Sequence, residues 1–370
     1  MESNRKRRLL LTFSEKADAF WQWFVENEPV LAQMADHPTL YDPQHVIAFV
    51  DQGISLLSSQ LQYTMGGHRE FTFAAEGKEF LFYLLPYLVS RKPAALDSWT
   101  FRPLLPGQGS TPFDFSMFDL RFSSGEVLID MGLEPSTGTF RLSFYHPQLC
   151  SLEQPSSLTA FYQLLDLTLG ESMSHIYISE AQPLSQPKEG MFPLTDLKGR
   201  LLEAMEALGL PQIQRPDEQY VPYGFHPQES PLPRFDVIQG STCYTGLIND
   251  YYAGRTENLE GLGEYGASAC FLTFAPEEYL GTEEADAIRY QLEQQIQQAL
   301  GPRGSGQEKG IVLGGATGTE HCYIDVLLYH PPALDACLRP LLLDSSYDFS
   351  FSDFRLLAPV LPISLPSRLS

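Results

Sequence analysis

Nine prolines fall between residues 183 and 234, at positions 183, 187, 193, 211, 216, 222, 227, 231 and 233. Each removes a backbone donor and fixes φ, so proline this dense disfavours regular structure and marks a boundary. The reading is an N-terminal α+β domain over 1–182, a proline-rich linker zone over 183–234 and a C-terminal α+β domain over 235–370. Two domains suit a chain of 370 residues, and each is long enough to bury a core without staples. The alternative is a long ordered connection wrapped around one core.

Hydrophobic spacing supplies the elements. Ala17, Phe20, Trp21, Phe24 and Leu31 form an apolar stripe at helical spacing, with Ser14 as cap and Pro29 expected to kink or restart the helix. Asp42-Pro43 is a helix start, with Val46, Val50, Leu57 and Leu61 on one face and Gly66-Gly67 as the end. Strands are expected at 70–74, 99–104, 118–122, 126–131, 140–145 and 175–179, with turns at 124–125 and 136–138. Helices are expected at 78–91, 157–169 and, inside the linker zone, 194–208. Beyond it come strands at 235–238, 267–274, 310–313, 322–329 and 349–357, and helices from Thr282 to Gly301 and at 333–343. Glu283 and Glu284 sit in the first turn of that Thr282 helix, where its dipole favours them.

FRLSFYHPQL at 140–149 and IDVLLYHPPAL at 324–334 are alike: a strand ending in Tyr-His-Pro, then a helix, then a strand. The expected fold class is α+β, with two domains, each a β-sheet with helices on one face. Both halves can be written as tandem ferredoxin-like β-α-β-β-α-β units.

Charge narrows the partners. The net charge is −22. Residues 1–210 carry 15 Lys/Arg against 25 Asp/Glu and residues 211–370 carry 9 against 21, so the acidity belongs to both halves. Such a surface repels phosphate backbones and anionic lipid and suits a basic partner. The expectation is no nucleic acid and no membrane. Cys150, Cys243, Cys270, Cys322 and Cys337 form no Cys-x-x-Cys pair, and reduced, buried thiols are expected. Arg5–Arg8 followed by Leu9–Leu11 is too short an apolar run for a signal peptide, so a cytoplasmic location is expected.

No complete catalytic motif is present. The eight histidines form no metal-binding spacing, and neither a metal nor a cofactor is expected. Alternation along a strand puts His321 and Asp325 on one face, the weak candidate for a base–orienter pair or metal site; a solvated or core-satisfied pair is the other reading. Cys243, in Gly240-Ser241-Thr242-Cys243, follows a strand where a nucleophile can sit, but the local acidity works against a lowered thiol pKa. His146 and His330 precede proline at strand ends and are read as fixing turns by backbone hydrogen bonds. Gly314-Gly315-Ala316-Thr317-Gly318 lacks the lysine of a phosphate loop and is read as a hairpin turn. Glu277, Glu278, Glu283, Glu284 and Asp286 form a local acidic cluster.

Phe20-Trp21-Gln22-Trp23-Phe24-Val25-Glu26-Asn27-Glu28 and Trp99-Thr100-Phe101 resemble the N-terminal region of a family of uncharacterised bacterial proteins. RFDVIQGSTCYTGLINDYY at 234–252 and VLGGATG at 312–318 resemble the C-terminal region of the same family. The resemblance brings no established activity; some such acidic proteins are associated with neutralising toxins. The expected function is a protein-binding module for a toxin or other basic partner. The alternative is an enzyme with a site in the C-terminal half, built from His321, Asp325 and Cys243.

Overall fold

The computed structural model describes residues 11–135 and 137–365. The basic run Arg5–Arg8 and Ser136 of the expected turn lie outside the described residues. The protein is α+β, and its chain forms two compact units. The larger comprises 1–71, 78–101 and 220–370, the smaller 72–77 and 102–219. This differs from the expected division at 183–234. The reason lies at the N-terminus of the first helix among the described residues, where Phe13 N donates to Gly266 O and Ser14 N to Tyr329 O, both at 3.0 Å. The first helix is thereby built into the C-terminal half.

That helix, Phe13–Asp36, starts one residue before the expected cap. Thr12 caps it in a reciprocal capping box with Glu15. It runs through Pro29 as one helix. Pro29 and Val25, whose carbonyl loses its partner, are both exposed, so water can take the lost bond. The next helix, Pro43–Leu57, stops well short of Gly66. Strands β1 (Gln62–Gly66), β2 (Glu70–Ala74) and β3 (Thr100–Arg102) then pair in that order, and Leu81–Ser90 is a helix carrying Pro86 inside it.

In the smaller unit, β4 (Asp114–Met117) and β5 (Leu120–Ser123) form a hairpin. A four-stranded sheet is built from β6 (Leu128–Glu134), β7 (Thr139–Tyr145), β8 (Ile178–Pro183) and β9 (Phe192–Pro193) in the order β8-β7-β6-β9. Phe140, Leu142 and Phe144 of β7 join Ala160, Phe161, Leu164 and Leu165 of helix Ser156–Leu169 and Leu197, Leu201 and Met205 of helix Leu197–Leu208 in one core. Gly209, in the left-handed region, ends the latter helix as expected. His175 lies on a short helix, Glu171–Tyr177, and not on a strand.

The larger unit holds a seven-stranded sheet of β10 (Val221–Gly224), β11 (Val237–Thr242), β12 (Ser268–Phe274), β13 (Gly310–Gly318), β14 (Cys322–Leu328), β15 (Ser350–Asp353) and β16 (Leu361–Pro362). Its order is β10-β11-β13-β14-β12-β15-β16. Cys270, Leu272 and Phe274 of β12 and Cys322, Ile324, Val326 and Leu328 of β14 pack with Leu292, Ile296 and Leu300 of helix Glu283–Leu300. Their alternates face the other way, where Phe271 meets Tyr251 of helix Thr245–Ala253 edge-on at 5.9 Å. Helices thus cover both faces here, where one was expected. Every residue of β12, β13 and β14 is buried, which explains their near-continuous apolar runs. The glycine run 314–318 is part of β13, and the turn follows it at 319–321.

The Tyr-His-Pro likeness does not extend to the strand that follows. In the smaller unit the chain returns as β8, parallel and adjacent to β7. In the larger it returns as β15, with β12 lying between β14 and β15. The two histidine rings also differ from expectation. In each case it is the main chain that fixes the turn, with Cys150 N donating to His146 O and Ala333 N to His330 O. The buried His146 ring lies 4.1 Å from that of Phe122 with Nδ1 unpartnered, while His330 Nδ1 meets Thr12 Oγ1 at 3.1 Å.

Candidate functional site

The three residues singled out from sequence have different neighbours. His321 stands in the turn before β14, outside its alternation, with a half-exposed ring whose Nδ1 lies 3.9 Å from Asp236 Oδ2. Asp325, in the middle of β14, is buried and bound to Arg234, with Nη1–Oδ1 at 2.5 Å and Nη2–Oδ2 at 3.1 Å. No hydrogen bond or ion pair joins His321 to Asp325. Cys243 is buried after β11; its N donates to Leu313 O at 2.8 Å, and its carbonyl accepts from Tyr83 Oη at 2.5 Å. The described cysteines are free thiols; Cys243, Cys270 and Cys322 are buried, and burial pushes the Cys322 thiol up to about 11. Among the described residues no group of three or more His, Cys, Asp or Glu is placed to hold a metal.

Arg234 is the residue that sequence reasoning missed. Its side chain is wholly buried, with the guanidinium 5.2–5.3 Å from the ring centres of Phe271, Tyr323 and Phe354. Tyr223 Oη accepts from its Nη2, and Tyr323 Oη accepts from its backbone N, both at 2.9 Å. Tyr252 Oη donates to Arg234 O at 2.7 Å, and Tyr251 Oη donates to Pro233 O at 2.9 Å. Two residues on, Asp236 accepts from Tyr323 Oη and from the backbone of Glu320 and His321. Arg234-Phe235-Asp236 therefore pins the end of the proline-rich stretch to the sheet and fixes the turn that carries His321. Burial pushes the Asp325 carboxyl up, against the pull of the Arg234 guanidinium.

Two features remain open to solvent. The first is an acidic end of the larger unit. Thr317 Oγ1 donates to Asp286 Oδ1 at 2.6 Å, tying the first turn of helix Glu283–Leu300 to the hairpin that carries Glu320. Glu277, Glu278, Glu283, Glu284 and Glu320 are exposed, as are the large rings of Tyr279 and Tyr290. The cations have gone the other way: among the described Lys and Arg of the larger unit, only Arg255 and Lys309 are exposed.

The second is a cleft of about 490 Å³ lined by Tyr220, Ser241, Arg289, Tyr290, Glu293, Gln294, Gln297, Arg303 and Val312. On one side of it the helix lies close on β13. A Cβ on Gly315 would lie 2.8 Å from Glu293 Oε1 and 3.0 Å from Arg289 Nη1, so glycine there lets the helix settle onto bare strand. Arg289, Glu293 and Gln297 recur at every fourth residue on the side of the helix beside its apolar stripe. Arg289 is ion-paired with Glu293, and Gln297 accepts from Val312 N at 2.9 Å. Burial pushes the Glu293 carboxyl up, against Arg289. Arg303 donates to the Val312 carbonyl and lies 5.8 Å from the ring centre of Tyr220, whose hydroxyl donates to the same carbonyl at 3.2 Å. The signal was a polar stripe beside an apolar one, facing a strand of glycines. Comparison of the chain with protein-family models, curated proteins and solved structures finds no match to any of them.

Proposed function

We propose that the chain is a protein-binding module for a basic partner, docked on the acidic end that carries Glu277, Glu278, Tyr279, Glu283, Glu284, Tyr290 and Glu320. The observation that carries this is the inward turn of the cations. Lys16 and Arg234 are buried, and Arg91 and Arg289 nearly so. Arg255 and Lys309 are the exposed cations among the described residues of the larger unit, so its outer face is dominated by carboxylates. A field of one sign speeds encounter with an oppositely charged protein and selects against others. Exposed tyrosines add flat contact area and can stack on a partner's guanidinium. Neutralisation of a basic toxin is the sharpest form of this reading.

Affinity purification from the source cells at low salt should recover a basic protein in stoichiometric amount, released at high salt. Glu277→Gln/Glu278→Gln/Glu320→Gln, all exposed and outside the helix, should lose that partner with the melting temperature unchanged. Retention of the partner by this variant, or no partner at low salt, counts against the proposal.

A further inference from the structure

We propose that the cleft between helix Glu283–Leu300 and strands β11 and β13 binds a small organic anion, a carboxylate or a phosphate, on the guanidinium groups of Arg289 and Arg303. Two arginines meet at one opening in a chain whose net charge is −22. The overall field opposes an anion, so the local cations must carry its binding.

Both guanidiniums are fixed in advance. Arg289 is held by Glu293 on the same helix, with Asp286 3.6 Å away, and only 12% of its side chain is exposed. Its buried Nε has no hydrogen-bond partner. Arg303 is anchored on the Val312 carbonyl and laid over Tyr220. Cations ordered before the ligand arrives lose less entropy on binding it.

The plainer reading is a structural ion pair that fills the space between helix and sheet. Against it, the space is not filled: about 490 Å³ stays open beside Ser241, Gln294 and Val312, a volume in the range of small-ligand sites. An inorganic ion would occupy little of it. Tyr220, Tyr290 and Val312 supply apolar walls for an organic group, and Ser241 and Gln294 supply hydrogen-bonding groups. Glu293 and Asp286 offset part of the Arg289 charge, so Arg303 must hold much of the anion's charge.

The proposal is independent of the basic-partner reading, since its test uses small anions and no protein. Calorimetric titration of the full chain at low ionic strength, in chloride-free buffer, compares inorganic phosphate, phenyl phosphate, citrate and benzoate. Saturable one-to-one binding is expected for at least one organic anion, with Kd of about 1 mM or tighter. Phenyl phosphate alone identifies a phosphate ligand, citrate or benzoate alone a carboxylate, and equal affinity for inorganic and phenyl phosphate overturns the organic assignment. Gln294 is exposed, so changing its charge should leave the fold intact. Gln294→Glu should weaken binding by about fivefold or more and Gln294→Lys should strengthen it, as charge at short range dictates. Arg303→Gln should abolish it; if that variant fails to fold, the Gln294 pair still decides. No saturable heat up to about 10 mM, or binding that neither Gln294 variant moves, overturns the proposal.

Discussion

Arg234 and Asp325 show how much one buried pair can organise. Removing two charges from water offsets most of what their attraction gains, so the pair itself adds little stability; breaking it leaves a lone buried charge. Asp325→Ala should therefore lower unfolding free energy by about 3–5 kcal/mol in urea denaturation, and Arg234→Met/Asp325→Leu should lose much less. In the smaller unit, Asp166 and His175 oppose each other. Burial raises the Asp166 carboxyl from 3.8 to about 7, so the folded state holds an extra proton and stability falls as pH rises through that window. Burial lowers His175 from 6.5 to about 4, so the unfolded state is protonated first and stability falls as pH drops through that window. Between these limits the two slopes cancel in the wild type. Asp166→Asn removes one of them: its unfolding free energy in urea denaturation should drop on acidification below about pH 6.5, by about 1.4 kcal/mol per pH unit, and should exceed that of the wild type above pH 7.

At the scale of elements, glycine did most to separate the sequence reading from the structure. The glycine run of β13 reads as a turn, yet it is strand. Gly314 lies at φ +131, and a Cβ there would sit 2.1 Å from Ser241 O. Gly314→Ala should cost about 2 kcal/mol or more in thermal denaturation, well above the loss at an ordinary exposed position. Helices Thr245–Ala253 and Glu257–Tyr265 were absent from the sequence reading for a similar reason. Gly246 weakens the helical pattern, but a Cβ on it would meet Glu79, whose carboxylate accepts from Gly246 N at 3.0 Å. Elements without such demands were legible. Pro43 at a helix start, the Glu283–Leu300 stripe, and strands Glu70–Ala74 and Ser268–Phe274 appear where spacing put them, to within a residue or so. The sites were less legible, because Arg234 finds Asp325 across 91 positions of chain and no local pattern encodes that meeting.

At the scale of the whole molecule, the smaller unit is an insertion in the larger. Its core draws only on residues between 113 and 213, so a fragment spanning 102–219 should fold alone, with a cooperative thermal transition and near-ultraviolet dichroism. A fragment spanning 235–370 should show neither, since it lacks the helix whose Phe13 ring lies against Tyr265 and Tyr329. That dependence also sets a timetable for birth. The helix that carries Phe13, Phe20 and Phe24 is made well before its backbone partners at 266 and 329, which lie about 250–315 positions further along the chain. At about 5–20 residues per second, roughly 15–60 seconds separate the two. For that interval a greasy helix waits for its mate while the inserted unit can fold ahead of it, so a holding chaperone should matter more to the yield of this chain than to that of one built from successive domains.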